Sequence, residues 1–166
     1  MIYVRALTRW LAAGALLGGL APAHADVAGI SGLTDVSFGL INAPTDQSRS
    51  QSVTICSYQN GFWGWFTALP YSVVATGSGS GGAFTLSSGA ATLAYDVQWS
   101  DAANRTTGTM LQPGLAAGGF VNAAAFFACR NDPDNASLII TIRAAQLTSA
   151  RAGNYAGSLS IMITPE

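Results

Sequence analysis

The sequence lacks most of the side chains on which enzymes depend. Lysine is absent from the 166 residues, the single histidine is His24, and the single glutamate is Glu166. The absence of lysine excludes a Schiff base or a serine–lysine dyad, and without a later histidine there is no Ser-His-Asp triad or histidine-bound metal. Asp96 and Asp101 remain as a candidate acid–base pair. However, Asp96 lies on the polar face of a predicted strand and Asp101 in a turn, so both are expected to be solvated surface residues. We therefore expect no enzyme activity, no catalytic residue and no cofactor.

Charge is also scarce, since only 9% of the residues are Asp, Glu, Lys or Arg. Beyond residue 25 there are five arginines against eight acidic side chains. This balance gives no basic patch for nucleic acid and no polybasic membrane anchor. Asp132 and Asp134 lie in a polar turn without the spacing or the distal glutamate of a calcium loop, so we expect no metal site.

Residues 1–25 have the three parts of a secretory signal peptide. Two arginines precede an apolar run at residues 10–20, and an Ala-x-Ala cleavage site ends at Ala25. The apolar run is too short to span a bilayer stably, and no later segment has the length of a transmembrane helix. We expect residues 26–166 to form a single exported domain of ordinary size, without membrane insertion.

The rest of the sequence favours an all-β protein. Glycine, serine, threonine and alanine are abundant, and short β-branched runs alternate with turn signals. Residues 92–99 alternate cleanly between apolar and polar, and residues 137–147 form a strong apolar strand signal. About seven to nine such segments predict an antiparallel, immunoglobulin-like β-sandwich.

Two cysteines, Cys56 and Cys129, are the whole complement of thiols. An even number in an exported chain predicts a disulfide, here closing a long loop. The alternatives are two buried free thiols or a metal pair, and two cysteines without histidine make a poor metal site.

The C-terminal residues 151–166 carry the most specific pattern. A Gly-x-Tyr turn leads into a strand with a period of two, which predicts that one face is buried. The apolar face, the predicted wall of a groove, contains Tyr155, Leu159, Ile161 and Ile163. The turn resembles the tyrosine corner that opens the next-to-last strand of immunoglobulin-like sandwiches. We therefore expect a domain that lacks its last strand, with an unpaired edge at residues 158–164; the alternative is the last strand of a complete sandwich.

A second unusual stretch concentrates large aromatic side chains between two predicted strands. Its members are Phe62, Trp63, Trp65 and Phe66. Glycines flank and split the run, which predicts a hairpin tip or an irregular loop. These rings either pack into the end of the core or form an exposed contact loop for a partner, a carbohydrate or a hydrophobic surface.

Several short motifs together resemble a known family. They are Val36-Ser37-Phe38-Gly39, Val53-Thr54-Ile55-Cys56, Tyr71-Ser72-Val73, Phe84-Thr85-Leu86, Leu93-Ala94-Tyr95-Asp96-Val97 and Ala152-Gly153-Asn154-Tyr155. In this order they resemble the spore coat U domain, the fold of pilins in archaic chaperone–usher systems. The resemblance implies a sandwich without its last strand, whose groove is filled by a periplasmic chaperone and then by another subunit's N-terminal extension. It further implies assembly through an outer-membrane usher into a pilus or coat at the cell surface, with a role in adhesion or biofilm.

Two features depart from that family. No cysteine precedes Phe38, so Cys129 would be the partner of Cys56. Residues 26–35, where a polymerising subunit has its donor extension, alternate only weakly. The chain is therefore expected to accept a strand more readily than to donate one, as in a tip or terminal subunit. The alternative function is a secreted binding module that does not polymerise and uses the aromatic loop.

Overall fold

The computed structural model describes residues 2–6, 27–42, 44–60, 68–122, 129 and 133–166. Within these residues a short helix, α1 (Ala144–Thr148), lies between the last two strands. The strands are β1 (Ile2–Ala6), β2 (Val27–Ser31), β3 (Arg49–Asn60), β4 (Leu69–Gly77), β5 (Thr85–Ser88), β6 (Ala91–Ala94), β7 (Asp96–Ser100), β8 (Thr109–Met110), β9 (Ala116–Asn122), β10 (Ala136–Ile142) and β11 (Gly157–Pro165).

The strands form two main sheets and a hairpin. One sheet has the order β1-β11-β4-β9, the other has the order β2-β3-β10-β7-β8, and β5 pairs with β6. Every ladder between these strands is antiparallel except the one between β1 and β11. The predicted all-β sandwich is therefore confirmed.

The core lies between the sheets and is built by alternating side chains from both of them. Val97 and Trp99 of β7 are fully buried, as are Leu138 and Ile140 of β10. The Trp99 ring meets Phe120 of β9 edge-on, at 6.4 Å between centroids. Inward-facing apolar side chains at a period of two thus account for how the sheets pack.

A buried polar network also joins the two sheets. The Tyr71 hydroxyl of β4 donates to Asn122 Oδ1 of β9 and accepts from Trp99 Nε1 at 3.4 Å. Ser57 Oγ of β3 lies 2.8 Å from the Tyr71 hydroxyl oxygen. The Asn122 amide donates to the carbonyl oxygens of Asp101 and Asn135, at 2.9 and 3.1 Å. Because each of these groups has a partner, the network ties the sheets together without leaving its polar groups unpaired.

Cys56 and Cys129 are joined by a disulfide, which confirms that prediction. Their Cα atoms lie 5.9 Å apart, and 73 positions separate them in the sequence. Since Cys56 belongs to β3, the bond ties that strand to the connection between β9 and β10.

Candidate functional site

The turn before β11 has the geometry predicted from its sequence. The Tyr155 hydroxyl donates to the carbonyl oxygen of Arg151 at 3.0 Å, which is the hydrogen bond that defines a tyrosine corner. Gly153 and Ile41 exchange backbone hydrogen bonds, with N–O distances of 2.9 and 3.3 Å. The corner therefore fixes where β11 begins and attaches it to the segment that follows Val36.

β11 alternates between the core and the surface from Leu159 to Thr164. Leu159 and Ile161 are buried with Tyr155, whereas Met162 is 38% exposed. Ile163 is half-buried and packs against the same core. The structure thus brings the predicted groove residues together on one face, although their role in binding a strand stays a prediction.

The two edges of β11 have different partners. One edge pairs with β4, and the Ser158 amide on that side donates to Ser78 Oγ at 3.1 Å. Backbone groups alternate along a strand, so the amides of Leu159 and Ile161 point to the opposite edge. That opposite edge is where the sequence predicted an absent strand.

In the full chain, the N-terminal residues occupy that edge. β1 runs parallel to β11, with Ile2 opposite Gly157 and Ala6 opposite Ile161. The Ile2 amide also donates to the Val36 carbonyl oxygen at 3.1 Å, so β1 lies between β11 and the segment at Val36. The prediction of an unpaired edge at residues 158–164 is thus wrong for its first half, because Ile2–Ala6 pairs with residues 157–161.

The side chain of Ile2 is part of this site, and the sequence reasoning did not find it. Ile2 is fully buried in the same core cluster as Val36, Leu159 and Ile161, whereas the neighbouring Tyr3 is 50% exposed. The available signal was a short alternation, Ile2-Tyr3-Val4, inside a segment interpreted only as a signal peptide.

The residues that follow the predicted cleavage site belong to the other sheet. β2 pairs antiparallel with residues 56–60 of β3. Gly29 lies so close to Tyr58 that an added Cβ would stand 2.9 Å from the phenol oxygen. β2 is therefore an integral edge strand of this fold rather than a free extension.

The two aspartates considered as an acid–base pair make separate contacts. Asp96 forms an ion pair with Arg143 through both of its carboxylate oxygens, the longer contact being 2.7 Å to Nη2. The Asp101 carboxylate accepts from the Val121 amide at 3.4 Å. Each carboxylate thus binds a neighbouring strand or loop.

A cavity of about 370 Å³ opens beside the corner, lined in part by Thr92, Gln146, Arg151 and Tyr155.

Among the described residues, no cluster of three or more histidine, cysteine or carboxylate side chains could hold a metal ion. No helix in that part of the chain is long and apolar enough to cross a membrane. Asp132 and the aromatic residues Phe62, Trp63, Trp65 and Phe66 lie outside the described residues.

No protein-family model and no curated protein matches the chain.

Proposed function

We propose that this protein is an exported structural subunit of a surface pilus or coat, assembled by strand addition through a chaperone–usher pathway. The observation that carries the proposal is that the edge of β11 opposite β4 pairs with an added strand. In the full chain this strand is Ile2–Ala6, which the signal-peptide prediction assigns to the leader. Once the leader is removed, a strand from a partner has a site that matches it.

Removal of residues 1–25 would expose apolar side chains and backbone groups along β11. Burying an isoleucine side chain contributes about 1.5–3 kcal/mol, and Ile2 is fully buried. Its removal leaves a gap over Leu159 and Ile161 and an unpaired backbone edge. An apolar open edge is prone to aggregation, and strand addition in trans would cover both the backbone and the apolar wall.

The expected partners follow from this site and from the family that the sequence resembles. A periplasmic chaperone would cover the edge first, another subunit would replace it, and an outer-membrane usher would pass the assembly to the cell surface. The pairing of β2 with β3 supports a tip or terminal position, since residues 27–31 are held within their own fold. The family that the sequence resembles adds a role in surface adhesion or biofilm to this proposal.

Co-expression of residues 26–166 with a candidate periplasmic chaperone tests the proposal. We expect a one-to-one complex. Ile161→Asp should abolish the complex because the side chain faces the buried wall, and Met162→Asp should leave it intact because Met162 faces solvent. A chain that stays monomeric and folded without a chaperone, and that binds none, would contradict the proposal.

A second candidate function is a secreted binding module that does not polymerise. The observation that favours it is the same pairing of β2 with β3, which leaves no evident donor segment among the described residues after position 26. Its binding site would be the aromatic loop at residues 61–66. Failure of the chaperone to bind, together with specific binding of a carbohydrate or protein through that loop, would favour this second function.

A further inference from the structure

β1 occupies the acceptor edge of β11 in a defined register and not as a loose contact. Five consecutive residues of β1 pair with residues 157–161. The Ile2 amide makes a further bond to Val36 on the other side of β1. The strand therefore bridges both borders of the gap, as a strand inserted into a sheet does.

We propose that Ile2–Ala6 is an intramolecular donor strand, which closes the acceptor edge of β11 for as long as the leader remains attached. This inference rests on the proposed function, because it assigns a regulatory role to the same edge. Leader removal would then do more than complete export. It would convert a self-complemented chain into one that requires a partner's strand.

The covalent connection between β1 and the rest of the chain explains why the leader would keep a partner's strand off the edge of β11. Residues 7–26 join β1 to β2, and an extended chain of that length reaches roughly 65 Å, more than the width of a domain of this size. A tethered strand meets its site at an effective concentration on the order of millimolar. A partner strand at micromolar concentration would therefore need about a thousandfold higher affinity to compete.

The side chains of β1 provide a specific perturbation and a matched control. Ile2 faces the core and is fully buried, so Ile2→Asp would place a charge in the apolar gap. Tyr3 is 50% exposed, so Tyr3→Asp adds the same charge to the same strand without entering the core.

The test is residue-resolved amide hydrogen exchange on the uncleaved full chain and on these two variants. The amides of Leu159 and Ile161 point toward β1 and report its pairing, whereas those of Ser158 and Ser160 point toward β4 and report whether the sandwich is folded. We expect Leu159 and Ile161 to be protected in the full chain and in Tyr3→Asp. In Ile2→Asp they should exchange at least about a hundredfold faster, with Ser158 and Ser160 unchanged.

Two other outcomes would overturn the inference and would separate it from the proposed function. If Leu159 and Ile161 exchange rapidly in all three chains while Ser158 and Ser160 are protected, β1 does not occupy the edge, and the proposed function is untouched. If Leu159 and Ile161 stay protected in all three chains, something other than β1 covers the edge, and both proposals fail. Loss of protection at all four amides in Ile2→Asp would show that the whole fold requires β1. The inference would then fail, because it holds that β1 is removed with the leader while the domain stays folded.

Discussion

Two tyrosines in the core predict opposite effects of the same substitution. Tyr71 is fully buried, and its hydroxyl contacts Asn122, Trp99 and Ser57. Tyr95 is also buried and stacks on Phe84 at 5.7 Å, but its hydroxyl has no hydrogen-bond partner among the described residues. Replacing either with phenylalanine removes one oxygen atom and keeps the ring.

The expected change in unfolding free energy depends on which hydrogen-bond partners are left unpaired when each hydroxyl is removed. Tyr71→Phe deprives the Trp99 indole N–H of its acceptor and Asn122 Oδ1 of one donor, which should cost about 1–3 kcal/mol of unfolding free energy. For a domain of this size, a loss of about 2 kcal/mol lowers the Tm by roughly 4–8 °C. Tyr95→Phe removes an unpaired buried hydroxyl, so it should be neutral or stabilising by up to about 1 kcal/mol.

Urea unfolding of both variants beside the parent protein measures these differences. The slope of the free energy with urea should be unchanged, because neither substitution alters the surface exposed on unfolding. Equal destabilisation by both substitutions would refute the reasoning, since it would mean that losing the buried oxygen atom itself, and not losing its hydrogen-bond partners, decides the outcome.

Three further predictions concern the disulfide, the alkaline pH range and the aromatic loop. Replacing Cys56 and Cys129 together with alanine should cost about 4 kcal/mol by loop entropy, and non-reducing mass spectrometry should find no free thiol in the parent. Burial raises the pKa of Tyr95 to about 12 from 10.0. The unfolded state therefore loses this proton first, so stability should fall between pH 10 and 12 in denaturant titrations, less steeply in Tyr95→Phe. Trp63 and Trp65 replaced by serine should abolish ligand binding with the Tm nearly unchanged if the loop is a contact surface, whereas buried rings would cost about 3–5 kcal/mol.

The fold class and the corner could be predicted because their signals are local. A period of two identifies strands, and a Gly-x-Tyr turn specifies the hydrogen bond from Tyr155 to Arg151. The pairing of Cys56 with Cys129 followed from their being the only two cysteines.

The ends of strands were harder to predict, because they depend on partners. The alternating run at residues 92–99 is divided at Tyr95: β6 pairs with β5, whereas β7 pairs with β10. The strand predicted at residues 137–147 ends at Ile142, and α1 follows it. Local alternation does not distinguish one strand from two consecutive strands in different sheets.

Only the β11 half of the site was predicted from the sequence, and the β1 half was not. Leu159 and Ile161 show their inward face in the sequence, but Ile2 is separated from them by most of the chain. A parallel pairing over that distance has no local sequence signal, and the pattern of residues 1–25 predicts a signal peptide and not a strand. β2 was missed for a related reason, since its residues alternate weakly and pair with the far end of β3.

The central claim of the proposed function is that β11 has an edge that requires a strand from elsewhere once residues 1–25 are removed. Differential scanning calorimetry tests it most directly, comparing residues 26–166 with the same chain carrying a donor segment fused after Glu166. The donor should bury several apolar side chains and raise the Tm by roughly 10 °C, with an aggregating or dimeric chain becoming monomeric. A donor with aspartate at its inward positions should have no effect. An unfused chain that is already monomeric and two-state, with a Tm that no donor changes, would contradict the claim.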